Sequence, residues 1–251
     1  MPTAPVVLIT GGAGGLGLAT ARAFAAAGHA VALLDATEEA AAAARSALPF
    51  AVTAVTADVT DRRAVEAAVT EVTRALGAPE VLVNGAGVAR SSPLFPVDDA
   101  LWTRTLAVNA TGPWIVSTAV LPGMLAARAA GGAGGAIVNV ASTASFKAYK
   151  YVAAYVASKH ALLGLTRALA EDLRGKGITV NAVCPGFMDT PMTERTVATI
   201  ARTTGRSPAE ARATIAAMNA SGRIVTPEEI ADAILALATD PRRTGEHVVI
   251  E

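Results

Sequence analysis

Val6-Val7-Leu8-Ile9-Thr10-Gly11-Gly12-Ala13-Gly14-Gly15-Leu16-Gly17 is the stretch that decides the fold. Four apolar residues in a row read as a strand covered on both faces, because a half-exposed strand would alternate. The glycines let the chain turn sharply, and Leu16 to Ala27 then follows a helical pattern that stops at Gly28. Such a turn brings backbone N–H groups and the positive end of a helix dipole up to a pyrophosphate. Glycine spacing alone says little; a strand before it and a helix after it give it meaning. Gly11, Gly14, Gly15, Leu16 and Gly17 are therefore expected to hold a dinucleotide.

Outward from this point, apolar runs alternate with helical patterns. Val31–Leu34, Val52–Ala57, Glu80–Asn84, Ala136–Val140, Ile178–Val183 and His247–Ile250 read as strands. Glu38–Leu48, Asp61–Leu76, Asp98–Arg128 and Val152–Arg174 read as helices, the third bent or broken at Pro113 and Pro122. Met188–Ser221 is polar and helical in pattern. Thr226-Pro227-Glu228-Glu229 opens a last helix with a Thr cap, Pro in the first turn and Glu at the third position. The alternation predicts an α/β, doubly wound parallel sheet, a Rossmann fold in three αβα layers. No linker interrupts the chain, and Gly131–Gly135 is too short for a boundary, so one domain over residues 1–251 is expected.

Twenty-one Lys and Arg balance 21 Asp and Glu in these 251 residues. A formal charge of zero argues against a nucleic-acid or anionic-membrane binder. The single Cys184 cannot form an internal disulfide, and with no CxxC or Cys/His cluster no metal is expected. Cys184 follows an apolar strand and reads as a packing residue. His29, His160 and His247 are scattered and read as structural. Met1 to Ile9 lacks the basic start of a leader, which with the lone cysteine predicts a cytoplasmic protein. Polar residues at 29, 35, 84, 109 and 139 keep the apolar runs below the ~18 residues of a membrane span, despite a mean hydropathy of +0.43.

Asp35 ends the second strand, near the ~20-residue offset at which a carboxylate meets the adenosine ribose hydroxyls. It would repel a 2′-phosphate, and neither the glycine loop nor Ala36 offers an Arg to neutralise one, so NAD is expected over NADP. The alternative is a solvated turn aspartate.

Tyr155 and Lys159 lie one turn apart on the helix after the fifth strand and share a face. A phenol has an ordinary pKa of about 10; a neighbouring ammonium favours the phenolate. Tyr155 is thus expected to take a proton from a hydroxyl as hydride leaves carbon. Of the three tyrosines only this one has a Lys four residues on. Ser142 follows the fifth strand at its carboxyl end, where doubly wound sheets bind ligands, and its hydroxyl could hold the substrate oxygen.

With these residues in place, the chain resembles the short-chain dehydrogenase/reductase family in its compact form. Thr10–Gly17 is similar to that family's TGxxxGxG turn. Asp58-Val59 is similar to its adenine-side pair, and Asn84-Gly85-Ala86-Gly87 to its NNAG motif, with Gly85 in place of the second Asn. Asn109, Ser142, Tyr155 and Lys159 match its catalytic positions. Pro185, Gly186, Met188 and Thr190 match the loop that closes on the nicotinamide. The resemblance implies that Asp58, Val59, Asn84, Ala86 and Gly87 line the cofactor, that Lys159 binds the nicotinamide ribose, and that Asn109 holds a water in a proton relay. For Asn109, Asp58 and Asn84 the alternatives are backbone satisfaction, a strand-end cap and a strand-linking hydrogen bond. The sequence ends at Glu251, where relatives run on with Gly-Gly and a short tail. The resemblance further implies a homotetramer packed through Asp98–Arg128 and Val152–Arg174.

Residues 188–223 correspond to the family's substrate lid. Arg195, Arg202, Arg206, Arg212 and Arg223 there suggest either a basic rim for an acyl-CoA or a solvated helical face. Phe187, Met188 and Met192 are expected to line an apolar pocket or pack the lid. The lid is similar to those of 3-hydroxybutyrate and 3-hydroxyacyl-CoA dehydrogenases and of polyketide ketoreductases. Ala144 and Val152 stand where the hydroxybutyrate enzymes carry His and Lys, which disfavours a small free acid. The expected substrate is a 3-hydroxyacyl or 3-oxoacyl thioester, or a neutral ketone. Tyr149, Lys150 and Tyr151 could touch it or lie exposed. A catalytically idle NAD-binding protein, or a methyltransferase of similar fold, leaves the Ser142, Tyr155, Lys159 and Asn109 set without a purpose.

Overall fold

The computed structural model describes residues 4–96 and 98–251; the first three residues of the Met1–Ile9 stretch lie outside them. Seven parallel strands form one sheet: β1 (Val6–Thr10), β2 (Ala30–Asp35), β3 (Thr53–Thr56), β4 (Val81–Asn84), β5 (Gly135–Val140), β6 (Ile178–Pro185) and β7 (His247–Ile250). Their spatial order is β3-β2-β1-β4-β5-β6-β7. The chain works outward from β1 in one direction and from β4 in the other. That reversal opens a crevice at the carboxyl ends of β1 and β4, where such sheets bind ligands.

Alternation along each strand feeds two cores. Val7, Ile9, Val31, Leu33, Val83 and Val138 pack under Phe24, Ala44, Ile230 and Ile234 from α1 (Gly15–Ala26), α2 (Glu38–Ala47) and α9 (Pro227–Thr239). Leu8, Leu34, Leu82 and Ile137 pack under Val65, Val69, Ile115, Val120 and Leu169 from α3 (Arg62–Leu76), α5 (Gly112–Ala129) and α6 (Ala153–Asp172). Burial on both faces is why β1 carries no polar residue before Thr10. A polar line crosses the second core: Asn84 Nδ2 donates to Ser117 Oγ and to Asn139 Oδ1, and Asn139 Nδ2 donates to Thr166 Oγ1.

One expectation is corrected. The stretch Asp98–Arg128 is not broken at its prolines. It comprises α4 (Asp99–Leu106), one π-helical turn (Ala107–Thr111) and α5, which continues through Pro122. Pro113 sits in the first turn of α5 and has no N–H for the Asn109 carbonyl, so the wider turn falls before the proline. The same stretch, Asp99–Ala129, is 31 residues long with a window of mean hydropathy 1.2, enough by length and composition to cross a membrane. Here it packs along the sheet, with α5 carrying Ile115, Val116, Val120 and Met124 into the core. The lid is two helices, α7 (Pro191–Thr204) and α8 (Pro208–Ala216). Gly205, at φ +72, and the reciprocal Ser207/Glu210 cap part them.

Candidate active site

Gly11 turns the chain at φ +68, and a Cβ there would come within 2.9 Å of the Ala86 backbone. The first turn of α1 has no side-chain cap and no acidic residue, so its N–H groups stay available to an anion. A Cβ on Gly15 would project toward Thr190 and Pro191, 3.7 and 3.9 Å away across the crevice. Its absence leaves the glycine backbone open toward the foot of the lid. Thr10 Oγ1 accepts from Gly85 N and Ala86 N, both at 3.1 Å. That contact explains the departure at Gly85: a Cβ there would lie 2.8 Å from the Thr10 carbonyl.

Asp35 ends β2 beside this loop. Its carboxylate accepts from Ala13 N at 2.9 Å and Ala36 N at 2.8 Å, which aims it along the loop. Asp58 is tied into its own turn by the Thr60 N–H and hydroxyl and pairs with Arg104 at 3.0 Å. Burial pushes its carboxyl up, but these partners outweigh it and hold the acid below its ordinary range. Val59 beside it is buried. Of the two readings for Asp58, the strand-end cap describes its carboxylate. Asn84 likewise makes the strand-linking bond, while its Oδ1 is buried without a partner.

Ser142, Tyr155, Lys159 and Asn109 converge at the carboxyl end of β5. Ser142 is buried in an extended conformation and its Oγ accepts from Ala144 N at 3.1 Å. Lys159 is only 5% exposed; its ammonium donates to the Val140 carbonyl at 2.7 Å and lies 5.7 Å from the Tyr155 ring centre. Burial lowers the lysine to about 8, against a small opposing influence of Cys184. The expectation that Lys159 brings the phenol down is not met in the chain alone. Burial raises Tyr155, the Ser142 hydroxyl works the other way, and nearby Tyr149 adds to the rise. Taking charge out of water dominates until a further cation enters the cleft.

Asn109 lies in the π-helical turn. Its side chain accepts from Val88 N and donates to Val88 O, both at 2.8 Å, and donates to Ser158 Oγ at 3.0 Å. The amide thus fixes the loop after Gly87 against α6. Gly87 is the near neighbour of both: a Cβ there would sit 3.4 Å from Asn109 Oδ1 and 3.8 Å from Lys159 Nζ.

The loop Pro185–Thr190 is held from several sides. Gly186 N donates to Ile250 O, Asp189 N to Val225 O, and Val225 N to Phe187 O. Asn219, 3% exposed, accepts from Phe187 N at 2.8 Å and donates to Phe187 O at 3.0 Å and Arg223 O at 2.7 Å. A Cβ on Gly186 would collide with that amide and with Glu251. Sequence reasoning missed Asn219, because no motif marks a residue that acts by closing a loop on itself. It also left Tyr149 open. The phenol stands 2.9 Å from the Thr143 hydroxyl and edge-on to Phe187, ring centres 6.2 Å apart. Lys150 and Tyr151 are exposed. Two of the five lid arginines are neutralised: Arg212 by Asp189 and Glu194, and Arg223 by Glu229. Cys184 is buried, its thiol raised by burial to about 11, which leaves it without nucleophilic character.

Comparison with known proteins shows the family. Residues 5–201 fit the short chain dehydrogenase family model. The chain is 38% identical over 239 residues to 2-(S)-hydroxypropyl-CoM dehydrogenase 3 of Xanthobacter autotrophicus, covering 94% of this chain and 89% of the relative. It is 36% identical over 182 residues to 3-oxoacyl-[acyl-carrier-protein] reductase of Thermotoga maritima, covering 72% and 68%. The crystal structure of an actinorhodin polyketide ketoreductase variant with NADPH superposes with a TM-score of 0.92 at 33% identity, over 100% of this chain and 97% of that one. With the glycine turn, the Ser142/Tyr155/Lys159 cluster and a family match over most of its length, the chain belongs to the short-chain dehydrogenases.

Proposed function

We propose that this protein is an NAD(H)-dependent oxidoreductase (EC 1.1.1.-) that interconverts a secondary alcohol and a ketone. The convergence of Ser142, Tyr155 and Lys159 beside the glycine loop carries the reading. The nicotinamide ring would donate or accept the hydride. Tyr155 takes the hydroxyl proton in oxidation and returns it in reduction. Ser142 donates a hydrogen bond to the substrate oxygen and steadies the developing alkoxide. Lys159 binds the nicotinamide ribose, and Asn109 holds the water through which the proton reaches solvent. Around the cofactor stand Gly11, Gly14, Gly15, Leu16, Gly17, Asp35, Asp58, Val59, Asn84, Ala86, Gly87, Pro185, Gly186, Met188 and Thr190.

The Asp35 carboxylate at the end of β2 supports NAD rather than NADP. We place one domain over the chain, with a lid at 188–223 that closes on a 3-hydroxyacyl or 3-oxoacyl thioester. A neutral or polyketide-type ketone is the second reading, favoured by the neutralisation of Arg212 and Arg223. A homotetramer fits the exposed Trp102, Trp114 and Leu125 along α4 and α5, and a lone cysteine fits a cytoplasmic setting; light scattering at 25.2 kDa, the mass of one chain, would reject the tetramer. The direct test follows absorbance of reduced nicotinamide with NAD and a panel of secondary alcohols. Tyr155→Phe should lower kcat by roughly 10²- to 10⁴-fold, and undiminished turnover in that variant removes Tyr155 from the mechanism.

A further inference from the structure

The substrate side of the cleft holds more hydroxyls than the reaction needs. Besides Ser142 and Tyr155, Thr143 and Tyr149 form a hydroxyl pair at 2.9 Å in which either oxygen could be the donor. Thr143 is buried on the short 3-10 turn that begins right after Ser142. Tyr149 is half-buried, close enough to Tyr155 to influence its ionisation, and braced edge-on by Phe187.

Two hydroxyls carry two protons, and one hydrogen bond between them uses one. Neither oxygen donates to any other described group, so one donor remains for whatever enters the cleft. The short turn that carries Thr143 holds no charged side chain. Ala144 is buried and apolar, and Lys147 on the same loop is committed to Glu251 at 3.0 Å. An uncharged donor on such a turn suits a carbonyl or ester oxygen, not a carboxylate, which would need a cation to offset its desolvation.

We propose that the Thr143–Tyr149 pair is a specificity determinant that takes a second, uncharged oxygen of the substrate, beyond the carbonyl held by Ser142 and Tyr155. The preferred substrates are then 3-oxo esters, 3-oxo thioesters and 1,3-diketones rather than simple ketones. This rests on the oxidoreductase reading above and narrows its substrate class. It also unites the two substrate readings, since thioesters and polyketide-type ketones both carry the second oxygen.

The test compares reduction of ethyl acetoacetate with reduction of 2-hexanone by wild type, Tyr149→Phe, Thr143→Val and Thr143→Ser, supplied with NADH. Loss of one hydrogen bond is worth about tenfold, so the ratio of the two kcat/KM values should fall about that much in Tyr149→Phe and in Thr143→Val. Thr143→Ser keeps the hydroxyl and should restore it. A ratio unchanged in Tyr149→Phe overturns the proposal, as does an equal loss on both ketones, which would mean that Tyr149 acts only through Tyr155. Wild type inactive on both ketones with either NADH or NADPH would instead strike the oxidoreductase reading itself.

Discussion

Tyr155 sits under two opposed influences, and the balance sets a pH dependence. Burial holds the phenol above its ordinary value, while the Ser142 hydroxyl pulls it down. As general base in oxidation it must be deprotonated, so alcohol oxidation should climb with pH until the phenol has titrated. As general acid in reduction it must be protonated, so ketone reduction should fall over that range. Lys159 is lowered to about 8 in the chain alone, so its charge is retained near neutrality and lost as the solution becomes alkaline. Initial rates followed from neutrality to above pH 10 in both directions check this, because the phenol is held above its ordinary value; parallel profiles would separate the rate from Tyr155. Asp35 allows a second prediction at this scale. Its carboxylate is aimed by the Ala13 and Ala36 N–H groups, and Asp35→Ala removes both the ribose partner and the repulsion of a 2′-phosphate. The ratio of NAD to NADP efficiency should drop by at least about tenfold, the effect of one charged hydrogen bond; an unaltered ratio assigns cofactor choice elsewhere.

At the scale of elements, the most informative feature is one that the sequence left hidden. Asn219 joins Phe187, where the lid begins, to Arg223, where it ends. Asn219→Ala removes three hydrogen bonds and leaves backbone groups of Phe187 and Arg223 without their side-chain partner. It should cost about 2–3 kcal/mol of stability, read by thermal or denaturant unfolding. Because Phe187 follows Pro185 and Gly186, the KM for NAD should rise more than kcat falls. A variant that only melts earlier, with an unchanged KM, would limit Asn219 to the scaffold. The π-helical turn at Ala107–Thr111 teaches a related lesson. Proline spacing correctly marked an irregularity in the long helix, but it lies upstream of Pro113, where the Asn109 carbonyl loses its usual partner. Pro122 forfeits one backbone bond, and α5 continues because its packed face outweighs that loss.

At the scale of the molecule, the sheet was legible because its signals are local and repeated. Each strand is a short apolar run, each helix has an end marker, and the order of the two dictates a parallel sheet. The site was legible where the chemistry needs a fixed spacing within one element: the glycine turn of β1–α1, and Tyr155 with Lys159 on α6. It was not legible where partners come from distant segments. Asp58 finds Arg104, Thr143 finds Tyr149 across a loop, and Arg212 finds both Asp189 and Glu194. A count of arginines in the lid left a basic rim and a solvated face both open; the folded chain spends two of them internally. The phenol's ionisation was misjudged for the same reason, since the cost of burial depends on everything packed round the ring.

The Asn219 amide has a wider consequence. By stitching the entrance and exit of the 188–223 segment into one seam, it makes the intervening helices an interchangeable cartridge. Apart from Arg212, which ties back to Asp189, side chains between Pro191 and Ala216 can change while the seam keeps its place. The Asn219 amide shares that fastening with the Phe187–Val225 and Asp189–Val225 backbone bonds, so losing it should loosen the seam without opening it.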